Sequence, residues 1–588
     1  MIILITAIWN LISRIFQKHI IGAILLTMLF IKILGSIYSV ILMDSFKNTK
    51  NDAWIVFNLL LLLLIPLTGI ISFFVFKRLL RDREYRASLG ASISGLLRYS
   101  KKEKSSSNED GFKVELVNEG PILMHNIFNG AMIVGQTGSG KTASIIHPIL
   151  YQVIDKDWPG LVYDLKGKLC EEVINYHNTI PKNEVRRTKL KFINFASPEK
   201  SDRVNPVSPR YLNSKAVAFD FVGTLFSNLM ASEGGKSEDP FWFDNAKNIL
   251  SSIIWYLNNN HPEFCTLPHA IAMAFWKDPE EMVKLVESDP ECARMMSSLR
   301  ISSGANDKKL FINIISTVYT HLMALDLPEL FYVLTGDEIN LDVNSQEDPT
   351  LLTIANYEPL QKVYSPIIAI ICNVVTQRMN DEGKRKGAII LDEFASIKIP
   401  NFERIPETIR SRGVSTIIAI HDKQQLVTKY GESKAETIAS TLATKFYFKS
   451  TNYKTVDEAV KIFGRRDITF KGKSSSRSTS MVVNPTTNTK GISDSIQERD
   501  FLKVEEITNY DRGQFAAIFS DANVKFVKGK KAQLQNIQKM TNSQQREEVT
   551  KEQISLNYKK VYDDIAGLFE VVPETRFSTE DYKIDFNE

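Results

Sequence analysis

Residues Gly135-Gln136-Thr137-Gly138-Ser139-Gly140-Lys141-Thr142 follow the spacing G-x-x-x-x-G-K-[ST]. The chemistry of that spacing is phosphate binding. Glycines let the backbone fold tightly and turn its N–H groups inward as an anion nest, and the helix that follows adds its positive N-terminal end. Lys141 would reach the β- and γ-phosphates of a nucleoside triphosphate, and Thr142 would hold Mg²⁺. The flanks suit the motif: Ala131–Val134 reads as a short buried strand, and 143–153 as a helix. A glycine-rich turn without a ligand would explain the composition but not this strand–loop–helix setting.

A second group lies far downstream. Gly387-Ala-Ile-Ile-Leu-Asp-Glu-Phe394 is an apolar strand ending in two adjacent carboxylates. Asp392 would bind Mg²⁺ directly or through water, and Glu393 would orient or deprotonate an attacking water. An ordinary strand-to-helix cap is the plainer reading of Asp392, and the phosphate loop upstream argues against it. Arg410 and Arg412 then precede another apolar run, Val414–Ile420, which ends at His421. Either arginine would serve as a finger toward a neighbouring subunit's γ-phosphate, or as a surface ion-pair residue. His421 stands where a γ-phosphate sensor would sit, or is a structural histidine.

The elements that must position these groups alternate. Gly160–Asp164, 189–195, Thr350–Ala355, Gly387–Leu391, Val414–Ile420, 444–449 and 515–519 read as strands, with helices at 367–379 and 455–463 among them. Strands buried on both faces and separated by helices indicate an α/β fold with a parallel sheet, whose ligands gather at strand ends such as Asp164. Between about 212 and 340 the apolar positions recur at helical spacing, so the sheet carries an all-helical insertion. Trp242, Trp255 and Trp276 read as its core rather than as a base-stacking platform.

Net charge is +4 over 588 residues, which excludes a strongly basic nucleic-acid coat. The four cysteines are scattered without a C-x-x-C pair, so neither zinc site nor disulfide framework is indicated. Residues 20–43 and 54–76 are each apolar over more than the ~20 residues that span a bilayer core. Arg14, Lys18 and His19 precede the first; Lys77, Arg78, Arg81, Arg83 and Arg86 follow the second. The positive-inside rule then puts both termini in the cytoplasm.

The order of these features resembles the coupling proteins of type IV secretion systems, the VirD4/TraG/TraD family. The residues that carry it are the two N-terminal spans, Gly135–Thr142, Asp164-Leu-Lys-Gly167, Asn205-Pro206, Phe241-Trp242, Asp392-Glu-Phe394, Arg410-x-x-Gly413, Gln425-Leu426 with Tyr430-Gly431, and Phe463-Gly464. The resemblance implies a RecA-like P-loop NTPase domain (91–211 and 341–535) with an inserted all-α domain (212–340), an N-terminal two-helix transmembrane anchor (1–90) and an acidic C-terminal tail (536–588). It implies a hexameric inner-membrane ATPase that uses ATP and Mg²⁺ to pass relaxase-bound single-stranded DNA or effector proteins to a secretion channel. Lys141, Glu393 and Arg410 would be its catalytic residues. Two positions depart from the pattern: His421 stands where the family commonly has Gln, and Lys168 where it often has an acidic residue.

Toward the C-terminus, 471–498 is polar and reads as a solvated loop, or as a basic loop touching DNA in a pore. Residues 561–588 hold eight acidic and two basic side chains. That stretch suits a docking segment for a basic partner or a disordered solubilising end. Two rivals to the coupling motor are a substrate receptor with structural nucleotide binding and a chromosome-pumping ATPase of the FtsK type.

Overall fold

The computed structural model describes residues 110–180, 186–232, 240–297, 308–478, 487–533 and 549–570. The two expected membrane spans lie outside these residues. Nine strands form one sheet: β1 (Ala131–Val134), β2 (Gly160–Asp164), β3 (Lys189–Asn194), β4 (Thr350–Ala355), β5 (Gly387–Leu391), β6 (Val414–Ile420), β7 (Thr444–Phe448), β8 (Gln514–Ile518) and β9 (Phe526–Lys531). Their order is β9-β8-β7-β1-β6-β5-β2-β4-β3. The seven from β7 to β3 are parallel, and β8 and β9 run antiparallel at one edge. β1, β2, β4, β5 and β6 are buried at every residue. That is why they are near-continuous apolar runs rather than alternating ones.

Alternate side chains still go to opposite faces. Met132, Val134, Tyr163, Leu391 and Ile418 enter one core cluster, while Ala131, Ile133, Val162, Ile390 and Ile417 enter another. Against the second face lie α1 (His147–Asp155) and α2 (Lys168–Thr179), through Ile149, Leu150, Leu169 and Val173. Against the first lie α3 (Lys215–Ser232) and α7 (Gln361–Met379), through Phe221, Leu225, Ile367 and Ile371. α7 starts earlier than the expected 367 because Pro366 lies inside it. Proline reads as a break, yet its missing N–H costs only one bond near a helix start. Among the described residues, the one unbent helix long and apolar enough to cross a membrane is Glu358–Met379, which contains α7. It is mostly buried and its apolar length faces the core.

Between β3 and β4 the regular elements among the described residues are helices: α3, α4 (Pro240–Asn260), α5 (Leu267–Ala274), Pro279–Glu287, Pro290–Met295, Lys308–Leu322, and α6 (Pro328–Thr335). The starts are written locally. Asp278 and Asp289 each cap a helix that opens with proline, accepting bonds from the N–H groups two and three residues on. Trp255 is buried here; Trp276 and Trp242 are partly so and pack on the same core.

Two C-terminal expectations need correction. The stretch 471–498 is not a loop throughout: Arg465–Ser478 pairs antiparallel with Thr487–Asp500 over fourteen residues a side. A ribbon held by its own backbone ladder needs no apolar stripe, so its composition hid it. Nor is 536–588 a tail along its whole length. Lys551–Glu570 is a helix, α8, whose Ile554, Val561, Ile565 and Phe569 are buried. Phe569 stacks on Trp276 at 4.0 Å, and Tyr558 and Tyr562 both donate to Asp326 at 2.9 Å. The charges that made this stretch look like solvated chain leave a narrow apolar stripe at helical spacing, and that stripe docks on α5 and α6.

Candidate functional site

Strand register brings the chemistry together. Val134 pairs with Ile420, Leu391 with Ile418, and Tyr163 with Leu391. The residues that follow these pairs, Gly135, His421, Asp392 and Asp164, therefore leave the sheet at one edge. The backbone seals the join: Gly135 N donates to Ile420 O at 3.2 Å, and Asp392 N to Tyr163 O at 2.9 Å.

The loop Gly135–Thr142 wraps this edge. Two of its glycines are demanded by space. A side chain on Gly135 would meet Phe448 Cβ at 2.6 Å; one on Gly140, at φ +99, would meet Gly513 N at 2.7 Å. Gly138 and Gln136, Thr137 and Ser139 complete the rim of a cleft of about 720 Å³, within the size range of small-molecule sites. After Lys141 the chain winds as a π-helical turn, Thr142–Ile146, before α1 begins. Such turns concentrate at functional sites.

Lys141 is buried, and its ammonium donates to Gly135 O and Gln136 O. Burial lowers its pKa, while Glu393 and Asp392 oppose the drop. Thr142 Oγ1 donates to Asp392 Oδ2 at 2.9 Å. Asp392 is pushed up to about 6, first by burial, next by the Asp164 carboxylate; the Thr142 hydroxyl and Lys141 pull the other way. Asp164, likewise raised by burial, accepts from Lys166 N at 3.0 Å and Leu169 N at 2.6 Å, which caps α2. Three carboxylates thus crowd beside one hydroxyl. Thr142 and Asp392 offer the hard oxygen pair that Mg²⁺ prefers, and the crowded charge is what a divalent cation would relieve.

Glu393 holds φ 59, ψ 47, the left-handed region that a glutamate rarely adopts. Its carbonyl is fixed by two donors, Ser396 N at 2.9 Å and Ser396 Oγ at 2.7 Å. Ser396 Oγ also lies 2.6 Å from the Tyr163 hydroxyl, which accepts from Asn356 Nδ2 at 3.0 Å. A buried polar chain from β2 and β4 therefore holds the strained turn. The Glu393 side chain meets His421 Nε2 at 2.9 Å. His421 Nδ1 is 3.4 Å from Lys141 Nζ and its Nε2 is 3.3 Å from Thr137 Oγ1. Facing an ammonium, Nδ1 accepts, which leaves Nε2–H to donate to Glu393.

Lys141, Thr142, Asp392, Glu393 and His421 share this cleft. Arg410 and Arg412 do not. They precede β6, at the opposite sheet edge. Arg412 pairs with Glu382 at 2.7 Å, while Arg410 is exposed at the end of the short helix Ile405–Arg410. Sequence reasoning missed Tyr163, Ser396, Asn356 and Arg512, all beside the site. Only Arg512 carried a signal, the Asp511-Arg512-Gly513 turn before an apolar strand.

A parallel sheet with a phosphate loop at its centre and an acidic strand end two strands away defines a P-loop nucleotide-binding fold. The model of the family "Type IV secretory system Conjugative DNA transfer" matches residues 97–557, and the chain belongs to that family. It is a coupling protein, which links DNA to a type IV secretion system for conjugative transfer. The fold is similar to that of the bacterial conjugative coupling protein TrwBdeltaN70 in its unbound form, at 14% identity over 72% of this chain and 89% of that one, TM-score 0.54. It is similar also to plasmid coupling protein TrwB in complex with ADP and Mg²⁺, at 13% identity over 70% and 87%, TM-score 0.51. TrwB in complex with the GTP analogue GDPNP gives the same values. No curated protein matches the sequence.

Proposed function

We propose that this coupling protein binds ATP in the cleft at Gly135–Thr142 and hydrolyses it to drive transfer. The observation that carries the reading is the 2.9 Å bond from Thr142 to Asp392, with Glu393 next in the chain. It joins the phosphate loop to the acidic strand end across 250 residues. Lys141 leaves its carbonyl partners to neutralise the β- and γ-phosphates. Thr142 and Asp392 would hold Mg²⁺, which when bound would supply Lewis-acid polarisation of phosphate oxygens. Glu393 takes a proton from the attacking water at its carboxylate, and His421 holds that carboxylate in place and reads the γ-phosphate through its contact with Lys141.

Subunits form a ring of six, and the exposed Arg410 of one reaches the γ-phosphate of the next, where it neutralises charge as it develops; Arg412 is less available because Glu382 engages it. Spans 20–43 and 54–76 anchor the ring in the inner membrane with both termini cytoplasmic. Relaxase-bound single-stranded DNA, effector protein or both pass to the channel. The helices between 212 and 340 form a domain of their own inserted in the 91–211 and 341–535 nucleotide domain.

The test uses the full-length protein in detergent or nanodiscs. Wild type should turn over ATP with Mg²⁺; Lys141→Ala should lose binding and turnover, and Glu393→Gln should keep binding and lose turnover. Mixing Arg410→Ala with Lys141→Ala subunits should restore a fraction of activity, because each supplies what the other lacks at a shared interface. Unchanged turnover in both Lys141→Ala and Glu393→Gln would remove the proposed chemistry.

A further inference from the structure

The cleft contains a cation that the proposed chemistry does not use. Arg512 lines it, from the turn that enters β8. The turn is tied to the phosphate loop itself: Gly513 N donates to Ser139 O at 2.8 Å. Its other side is held as well, since Gly513 O accepts from Ala532 N at 2.9 Å and Gln514 N donates to Asp511 O at 2.9 Å. Gly513 sits at φ +81, and its N lies 2.7 Å from where a side chain on Gly140 would begin. Two glycine backbones therefore touch, and that contact sets Arg512 at the cleft mouth. The Arg512 side chain is exposed and has no carboxylate partner among the described residues. Arg412 and Arg385, by contrast, are each engaged with an acid, Glu382 and Asp157.

Sheet order says which end of a nucleotide Arg512 meets. β5, with Asp392 and Glu393, is two strands from β1 on one side; β8, with Arg512 before it, is two strands from β1 on the other. A triphosphate with its γ-phosphate at the acids lies across the loop with its α-phosphate and ribose toward β7 and β8. Resting on the reading that this cleft binds a nucleoside triphosphate, we infer that Arg512 grips the non-transferred α- and β-phosphates of the nucleotide in its own subunit. It is an affinity residue whose contact is the same before and after hydrolysis. A guanidinium suits that role, since it forks onto two phosphate oxygens and cannot lose its charge.

The experiment titrates ATP and ADP, each with Mg²⁺, into full-length wild type, Arg512→Ala and Arg512→Lys, and measures turnover at saturating ATP. Wild-type binding comes first: if wild type binds neither nucleotide, the reading of the cleft fails, and the inference with it. If wild type binds, Arg512→Ala should weaken ATP and ADP by the same factor, about tenfold to a hundredfold as for a lost charge-assisted bond. Arg512→Lys should recover part of the loss, and kcat at saturation should stay within about twofold, as expected for uniform binding. Equal affinities in Arg512→Ala and wild type would overturn the inference while leaving the cleft's reading intact. So would a loss confined to ATP, or a fall in kcat at unchanged KM, since either would put the guanidinium on the γ-phosphate.

Discussion

Replacing Asp392 by Asn should stabilise the nucleotide-free protein at neutral pH and abolish its response to Mg²⁺ and nucleotide. The carboxyl of Asp392 titrates near 3.8 when solvated and is pushed up to about 6 in the fold. Between those values the native state holds a proton that the unfolded chain has released. Stability contributed by this group is therefore present at low pH and is lost as pH rises through the window. At about 1.4 kcal/mol per pH unit the loss reaches about 3 kcal/mol by pH 7.5, and about half of that at pH 5. That figure is an upper bound, because the cleft admits water beside the carboxyl. The Asn amide keeps an acceptor for the Thr142 hydroxyl and carries no charge beside Asp164. Asp392→Asn should then melt higher than wild type by roughly 3–6 °C at pH 7.5 if 1 kcal/mol moves a domain of this size by about 1–2 °C, with about half the gain at pH 5. Mg²⁺ with ADP should raise the wild-type melting temperature and leave the variant's where it was. Differential scanning fluorimetry at the two pH values reads all four numbers. A gain equal at both pH values, or none at either, would show that the Asp392 charge is not the stored penalty.

Other outcomes follow from the same geometry. Gly140→Ala should lose nucleotide binding, measured by titration, because the added carbon meets Gly513 N at 2.7 Å in a backbone at φ +99. His421→Ala should lower kcat on the order of 10²-fold by removing a positioned donor, while His421→Gln, which keeps a donor and an acceptor, should retain most turnover in the same assay. Phe569→Ala should destabilise the helical layer by about 3 kcal/mol or more as the Trp276 stack is lost, and limited proteolysis should then cut near α8 before it cuts the sheet.

Much of the site was readable in the chain because it is locally encoded. Gly135–Thr142 carries its own turn chemistry, and β1, β2, β4, β5 and β6 had to be apolar throughout because both faces are covered. Asp392 and Glu393 were legible for the same reason, as charges where such a run stops. Elements without a plain apolar signature of their own were not legible. The ribbon of Arg465–Ser478 with Thr487–Asp500 is set by cross-strand backbone bonds, which leave no trace in composition. α8 shows its stripe of Ile554, Val561, Ile565 and Phe569 only once Trp276, nearly 300 residues earlier, stands opposite it.

Sequence by itself determined that phosphate, a divalent cation and a proton-accepting carboxylate had residues suited to them, since residue type and spacing are covalent facts. Tertiary structure alone decided how those residues meet. Register put Gly135, Asp164, Asp392 and His421 at one edge, and a buried Tyr163–Ser396 pair holds Glu393 in a backbone state it would not choose. Sheet order and the turn into β8 brought Arg512 to the lining of the cleft, and strand direction left Arg410 at the opposite end of β6. Distances between groups hundreds of residues apart depend on packing free energy summed over the whole core, and no local window of sequence contains that sum.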